Sequence, residues 1–232
     1  MVSALDADSP VMITLGAILM LAVGVGLLFL VLFLAGKVRG RHERGHWMSG
    51  FAAERSGRFH AEDGGTSPGF GIDPVGRDRP LAEASVTRAV EFRHRDHDVA
   101  GVDFLDDRHQ PGGDTTQRAF HSVQVRVPDS AALFLAADGV FPSRVLREFE
   151  QVKTFDKAFD GAIKVRAADR DRAAALLTPE VRAWILAEPR FGRWPVFVER
   201  GTIRTGGRRS LDRETLLAEA DFLIDVATRL PR

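Results

Sequence analysis

The chain contains no cysteine, no tyrosine and no asparagine in its 232 residues. Without cysteine there are no disulfides, thiolate zinc sites, iron–sulfur clusters or cysteine nucleophiles. Without asparagine there is no N-glycosylation acceptor, and chemistry that needs an Asn ligand is excluded. Lysine is scarce, 4 residues against 28 arginines, a bias that reads as a GC-rich bacterial genome. An excess of charge is missing as well: 32 basic side chains balance 32 acidic ones, so no global field favours nucleic acid as a partner. No Gly-x-Ser-x-Gly, Gly-x-x-x-x-Gly-Lys-Ser/Thr or Gly-x-Gly-x-x-Gly occurs, so the acyl-transfer, P-loop and dinucleotide signatures all fail. No internal repeat is visible.

Residues 11–36, in contrast, form an uncharged run of 26 residues rich in Leu, Val, Ala and Gly. That exceeds the roughly 20 apolar residues needed to cross a bilayer. The N-terminus is acidic (Asp6, Asp8) and the run is far longer than the roughly 7 to 15 residues of a signal-peptide core, so a permanent anchor is expected. Lys37, Arg39, Arg41 and Arg44 all follow the run. Basic residues mark the cytoplasmic flank, which predicts a single-pass protein of the cell (inner) membrane with its N-terminus outside and its C-terminal domain cytoplasmic. Ala22 and Gly26 stand in a small-xxx-small spacing that supports helix dimers, but such residues are common in membrane helices, and a homodimer has no further support.

The predicted organisation is an extracytoplasmic tail over 1–10, a transmembrane helix over 11–36, a basic juxtamembrane segment and Gly/Pro-rich linker over 37–84, and a cytosolic α+β domain over 85–232. The linker has nine glycines and no sustained period. Within it Trp47, Met48, Phe51 and Ala52 allow a short interfacial helix, so Lys37, Arg39, Arg41, Arg44 and Trp47 are the membrane-interface candidates, with the lipid bilayer as partner.

In the domain, Val90, Phe92 and His94 share one strand parity, and a polar turn is expected at Asp96, His97 and Asp98. A second strand runs from Val99 to Leu105. His121, Val123, Val125 and Val127 alternate in the clearest strand, and segments over 132–136 and 145–149 are weaker strands. Asp169 or Asp171 caps a short helix, Thr178-Pro179 starts another, a hairpin over 195–205 turns at Arg200-Gly201, and Ser210 caps a last helix whose Leu216, Ala220, Leu223, Ala227 and Leu230 line one face. Glu219 falls near the edge of that face. Antiparallel strands followed by helix, hairpin and helix make the fold α+β.

The stretch Glu150 to Phe159, then Val165, Asp169, Ala173 and Leu176-Leu177-Thr178-Pro179, resembles a segment of uncharacterised actinobacterial single-pass membrane proteins, a domain of unknown function. Phe120-His121-Ser122-Val123, leading to Val127-Pro128, resembles them too. The resemblance covers roughly residues 119–232, departing where the interval 160–164 is longer than the pattern. It implies an anchored α+β domain, and it carries over no catalytic or binding residue.

The most suggestive chemical cluster is His94, Asp96, His97 and Asp98, with Asp103, Asp106, Asp107 and His109 beyond it, since imidazole and carboxylate suit several divalent metals. A solvated turn accounts for the same residues. His94-Arg95-Asp96 mimics a kinase triplet, but the required downstream Asn does not exist. His121 is expected at the core margin with one ring nitrogen bonded. Arg204, Arg208 and Arg209 around Gly206-Gly207 read as a solvated basic turn. The expected function is a membrane-anchored interaction or scaffold domain that is not an enzyme, needs no cofactor and binds an unidentified protein partner. The alternative is a membrane-tethered metal-dependent enzyme using His94, Asp96, His97 and Asp98.

Overall fold

The structure, a computed structural model, describes residues 23, 25–26, 47–61, 84–109, 115–128, 132–137 and 149–231. The chain divides into two units, Met1–His46 and Trp47–Arg232, and the second carries all the strands and helices named below. Of the expected membrane span only Val23, Val25 and Gly26 are described, and they are helical and exposed. Among the described residues no helix is long and apolar enough to cross a membrane. The predicted span otherwise lies outside them.

Alternation in the sequence builds the sheet. The strands are β1 (Arg58–Ala61), β2 (Ala84–His94), β3 (His97–His109), β4 (Thr115–Arg126), β5 (Leu133–Ala137), β6 (Glu150–Gln151), β7 (Ile163–Ala167), β8 (Val196–Glu199) and β9 (Thr202–Gly207). They form one sheet in the order β1-β2-β3-β4-β9-β8-β5-β7-β6, and every pairing is antiparallel. The helices are α1 (residues 47–54), α2 (Lys157–Ala162), α3 (Arg170–Leu176), α4 (Pro179–Ala187) and α5 (Arg213–Arg229). Val90, Phe92, Val99, Val123, Val125, Ile203, Val198 and Leu135 share one sheet face and the main core with Leu216, Ala220 and Leu223 of α5. That arrangement is α+β, as the sequence implied.

The folded unit begins earlier than Ser85. Met48, Phe51 and Ala52, expected in the linker, are buried in the core, because their i, i+3, i+4 spacing puts them on one helical face. Phe51 meets Phe92 edge to face at 4.9 Å, and Glu54 pairs with Arg213 at the start of α5 at 2.8 Å. The chain leaves α1 through Ser56 at φ 52° and then runs so close to β2 that a Cβ on Gly57 would stand 2.3 Å from the Glu91 carbonyl oxygen. Only glycine fits there. β1 then pairs with β2, extending the sheet by a strand that comes from the expected linker.

Two local expectations also shift. The β2–β3 turn is Arg95-Asp96, both at positive φ (47° and 65°), the two-residue hairpin geometry, so His97 and Asp98 belong to β3. The last helix is capped by Asp212, whose carboxylate accepts from Thr215 N at 2.7 Å, and not by Ser210. The Arg200-Gly201 turn, at φ 48° and 70°, and the Thr178-Pro179 helix start lie where the sequence placed them. The expected strand over 145–149 lies outside the described residues except for Phe149.

Candidate functional site

The candidate metal cluster comes apart in three dimensions. His94 and His97 are directly opposed across the hairpin, yet they turn to different partners. His94 Nε2 donates to Asp221 of α5 at 2.9 Å, whereas His97 Nδ1 donates to the Arg95 carbonyl at 2.8 Å. The Asp96 side chain, at the turn tip, is 99% exposed. Asp98 lies on the opposite sheet face. Asp103 sits five residues further along β3, and the side chains of Asp106, Asp107 and His109 lie outside the described residues. Among the described residues no three potential ligands converge, because the hairpin turn divides the cluster between two faces. Among the described residues, His94, Asp96, His97 and Asp98 therefore share no common site.

The structure instead assembles a buried ionic group beneath α5 that local sequence patterns do not reveal. His121 (2% exposed) faces Glu219 (1%), with Nε2 at 3.0 Å from Oε1 and 3.2 Å from Oε2. The other nitrogen, Nδ1, donates to the Arg209 carbonyl at 2.8 Å. Both ring nitrogens are thus engaged, one more than expected. With the Arg209 carbonyl on one side and the Glu219 carboxyl group on the other, acceptors face both ring nitrogens, which favours the imidazolium form. Burial opposes that charge, but the hydrogen bond and charge of Glu219, helped by the Arg209 carbonyl and by Asp103, outweigh it and raise the histidine pKa.

Asp103 is the cross-strand partner of His121. Its Oδ1 accepts from Leu211 N at 2.7 Å and its Oδ2 from the Arg88 guanidinium at 3.0 Å. Burial nevertheless dominates and pushes its pKa up. Arg209 also donates to Thr215 Oγ1 at 2.8 Å. The loop between β9 and α5 is therefore clipped to the sheet twice, at Arg209 by His121 and at Leu211 by Asp103. Gly207 leaves room for the imidazole: a Cβ there would stand 3.0 Å from the ring carbon Cε1. The signal available in the sequence was a histidine at an apolar strand position together with a glutamate beside the apolar stripe of a helix.

A second ionic group ties the hairpin tip to the same helix. Asp221 takes His94 and Arg95 (3.2 Å), Asp225 takes Arg95 (2.9 Å) and Arg190 (2.8 Å), and Arg190 also bonds Glu188 at 2.7 Å. Hydrogen bonding to Arg190 lowers the Glu188 pKa, and for Asp225 the two arginines overcome a modest burial penalty to the same effect. On the other sheet face an open cleft of about 550 Å³ lies where α1 hands over to β1. Arg58, Arg93 and Arg126 line it together with Glu91 and Asp98.

Of the membrane-interface candidates, Lys37, Arg39, Arg41 and Arg44 lie outside the described residues. Trp47 packs against the domain core and meets Phe51 edge to face at 5.9 Å, so part of the ring is already covered by protein.

No family model matches the chain, and no curated protein matches it. Among solved structures, the crystal structure of the mycobacterial trehalose monomycolate transport factor A, TtfA, matches with a TM-score of 0.51 at 11% identity, over 81% of this chain and 96% of that one. At this identity what the two chains share is the fold.

Proposed function

We propose that this protein is a membrane-anchored, non-catalytic factor whose domain binds a protein partner and serves the transport of a trehalose-linked envelope lipid such as trehalose monomycolate. The observation that carries the reading is the likeness of fold to the crystallised chain of a trehalose monomycolate transport factor, over 96% of that chain. The uncharged run over 11–36 and the basic residues after it favour a single pass with the domain on the cytosolic side. On this reading the buried ions hold the domain together and the exposed mixed-charge cleft meets the partner.

Depletion in the encoding organism, with pulse-labelled trehalose lipids, tests it. Transport of the labelled trehalose monomycolate is expected to fall, and unchanged transport in depleted cells refutes the role. A reporter active only outside the cytoplasm, fused after the C-terminus, should stay silent. Activity would reverse the assigned topology.

A further inference from the structure

Phe155 is 92% exposed, in a unit whose other aromatic side chains are buried or half-buried where described. It also sits at φ 62°, a conformation in which a bulky L-residue is strained. The strain is held in place. Thr154 N, Thr154 Oγ1 and Phe155 N all donate to the Asp160 carboxylate at 3.0, 2.9 and 3.1 Å. Asp156 caps α2 by accepting from Ala158 N and Phe159 N, and Arg182 of α4 braces it at 3.5 Å. Backbone strain persists where the surroundings over-determine it, and such sites tend to be functional. Here the product is a fixed backbone that presents a phenyl ring to solvent.

The neighbours of that ring indicate what receives it. Three of the chain's four lysines, Lys153, Lys157 and Lys164, fall within 12 residues around it. Lys153 and Lys157, two residues to either side of Phe155, are both exposed. The two loop carboxylates, Asp156 and Asp160, are occupied within the loop and by Arg182. A protein hot spot is normally an aromatic seated among near-neutral contacts that exclude water. A lone projecting ring between two cations matches instead an anionic bilayer surface, where the ring enters the acyl boundary and the ammonium groups stay among the phosphates.

We propose that the loop 153–157 is a second membrane contact, inserting Phe155 into the anionic leaflet with Lys153 and Lys157 at the headgroups. The proposal rests on the membrane-anchored reading. An anchor on the same chain raises the effective concentration of lipid surface at the domain, so a single ring and two charges suffice for docking. Anchor and loop then hold the domain at two points.

The absence of native cysteine allows a unique label. The full chain carrying Ala158→Cys, labelled with an environment-sensitive dye, is reconstituted into phosphatidylcholine vesicles with about a third phosphatidylglycerol and nitroxide-bearing acyl chains. The dye is expected to be quenched by lipid. Phe155→Gly, which relieves the strained φ and leaves the fold at least as stable, is expected to lower the docked-to-undocked ratio roughly tenfold or more, the order for withdrawing one phenyl ring from an apolar phase. Lys153→Gln with Lys157→Gln should remove the salt-dependent part of the quenching. If the chain floats with vesicles but the dye reads water whatever stands at 155, docking is overturned and the anchor survives. If the chain fails to float at all, the anchor falls and the docking that rests on it falls with it. Photo-crosslinking from position 155 in native membranes should give a lipid adduct, and a protein adduct in its place overturns the proposal.

Discussion

Helix α5 is joined to the sheet by two histidine–carboxylate pairs of nearly the same length, His121–Glu219 at 3.0 Å and His94–Asp221 at 2.9 Å. The carboxylates stand two residues apart on one helix. In the first pair both side chains are 1% exposed, whereas in the second Asp221 is 42% exposed and shares its charge with Arg95. Distance therefore does not rank them. A buried ion left without its partner cannot return to water, so losing one member of the inner pair strands a charge in a low-dielectric interior. Losing one member of the outer pair lets solvent replace it.

The largest effect is expected at the inner pair. Glu219→Leu should destabilise the domain by about 3 to 5 kcal/mol, because it leaves the buried His121 without the carboxylate that faces its Nε2. Adding His121→Leu should recover much of that loss, since a buried pair replaced by apolar groups is often close to neutral. Equilibrium denaturation followed through the indoles of Trp47, Trp184 and Trp194 measures both. If the double variant is no better than the single one, the histidine is not held there by charge. Leu223→Ala, one turn further along α5 and fully buried, gives an apolar yardstick of about 2 to 5 kcal/mol through lost burial and a residual cavity.

What the sequence showed of these regions follows from how far each feature reaches along the chain. The alternation of His121, Val123 and Val125, the Thr178-Pro179 start of α4 and the apolar stripe of α5 are local patterns, and the structure has each of them in its expected place. The His121–Glu219 contact spans 98 residues, and nothing local to either residue names the other. The same limit hides α1: Phe51 and Met48 look like a short interfacial helix because Phe92 of β2 and the start of α5, which pack against that helix, come more than forty residues later. The hairpin turn lies elsewhere than expected for another reason. Arg95-Asp96 lacks the glycine or asparagine that usually marks a turn with two positive φ values, so the neighbouring Asp-His-Asp draws the assignment.

Acidity separates the two pairs further. His121 has a raised pKa in the folded state, so the stability it contributes is fully present below the ordinary histidine value and is lost as pH rises through the folded one. Asp103, also raised, has the same sign in its own, more acidic window. Asp212, Asp225 and Glu188 are lowered and act in reverse, contributing above the ordinary carboxylate range and failing as pH falls through their folded values. Wild-type stability should therefore decline from neutral into alkaline solution, with a slope of up to about 1.4 kcal/mol per pH unit for one proton. Glu219→Gln should flatten that decline, and denaturation midpoints taken between neutral and alkaline pH would show it. An unchanged slope would mean that a group other than His121 carries the proton.

The smallest effect is expected at the outer pair. In Asp221→Ala, His94 loses a carboxylate 2.9 Å away, but its ring lies near the surface and water can take the vacated position. Arg95 keeps Asp225 at 2.9 Å, and Arg190 still joins Asp225 to Glu188, so the rest of the group stays connected. The expected loss is about 0 to 1 kcal/mol. It should shrink further in 1 M salt, where the Debye length falls to about 3 Å and exposed charges are screened, while the deficit of Glu219→Leu should hardly change. Denaturation of both variants at low and high salt tests this directly. A loss at Asp221 as large as that at Glu219, and equally insensitive to salt, would show that the hairpin tip is sealed from water by something that covers it, and the two pairs would then belong to one buried network.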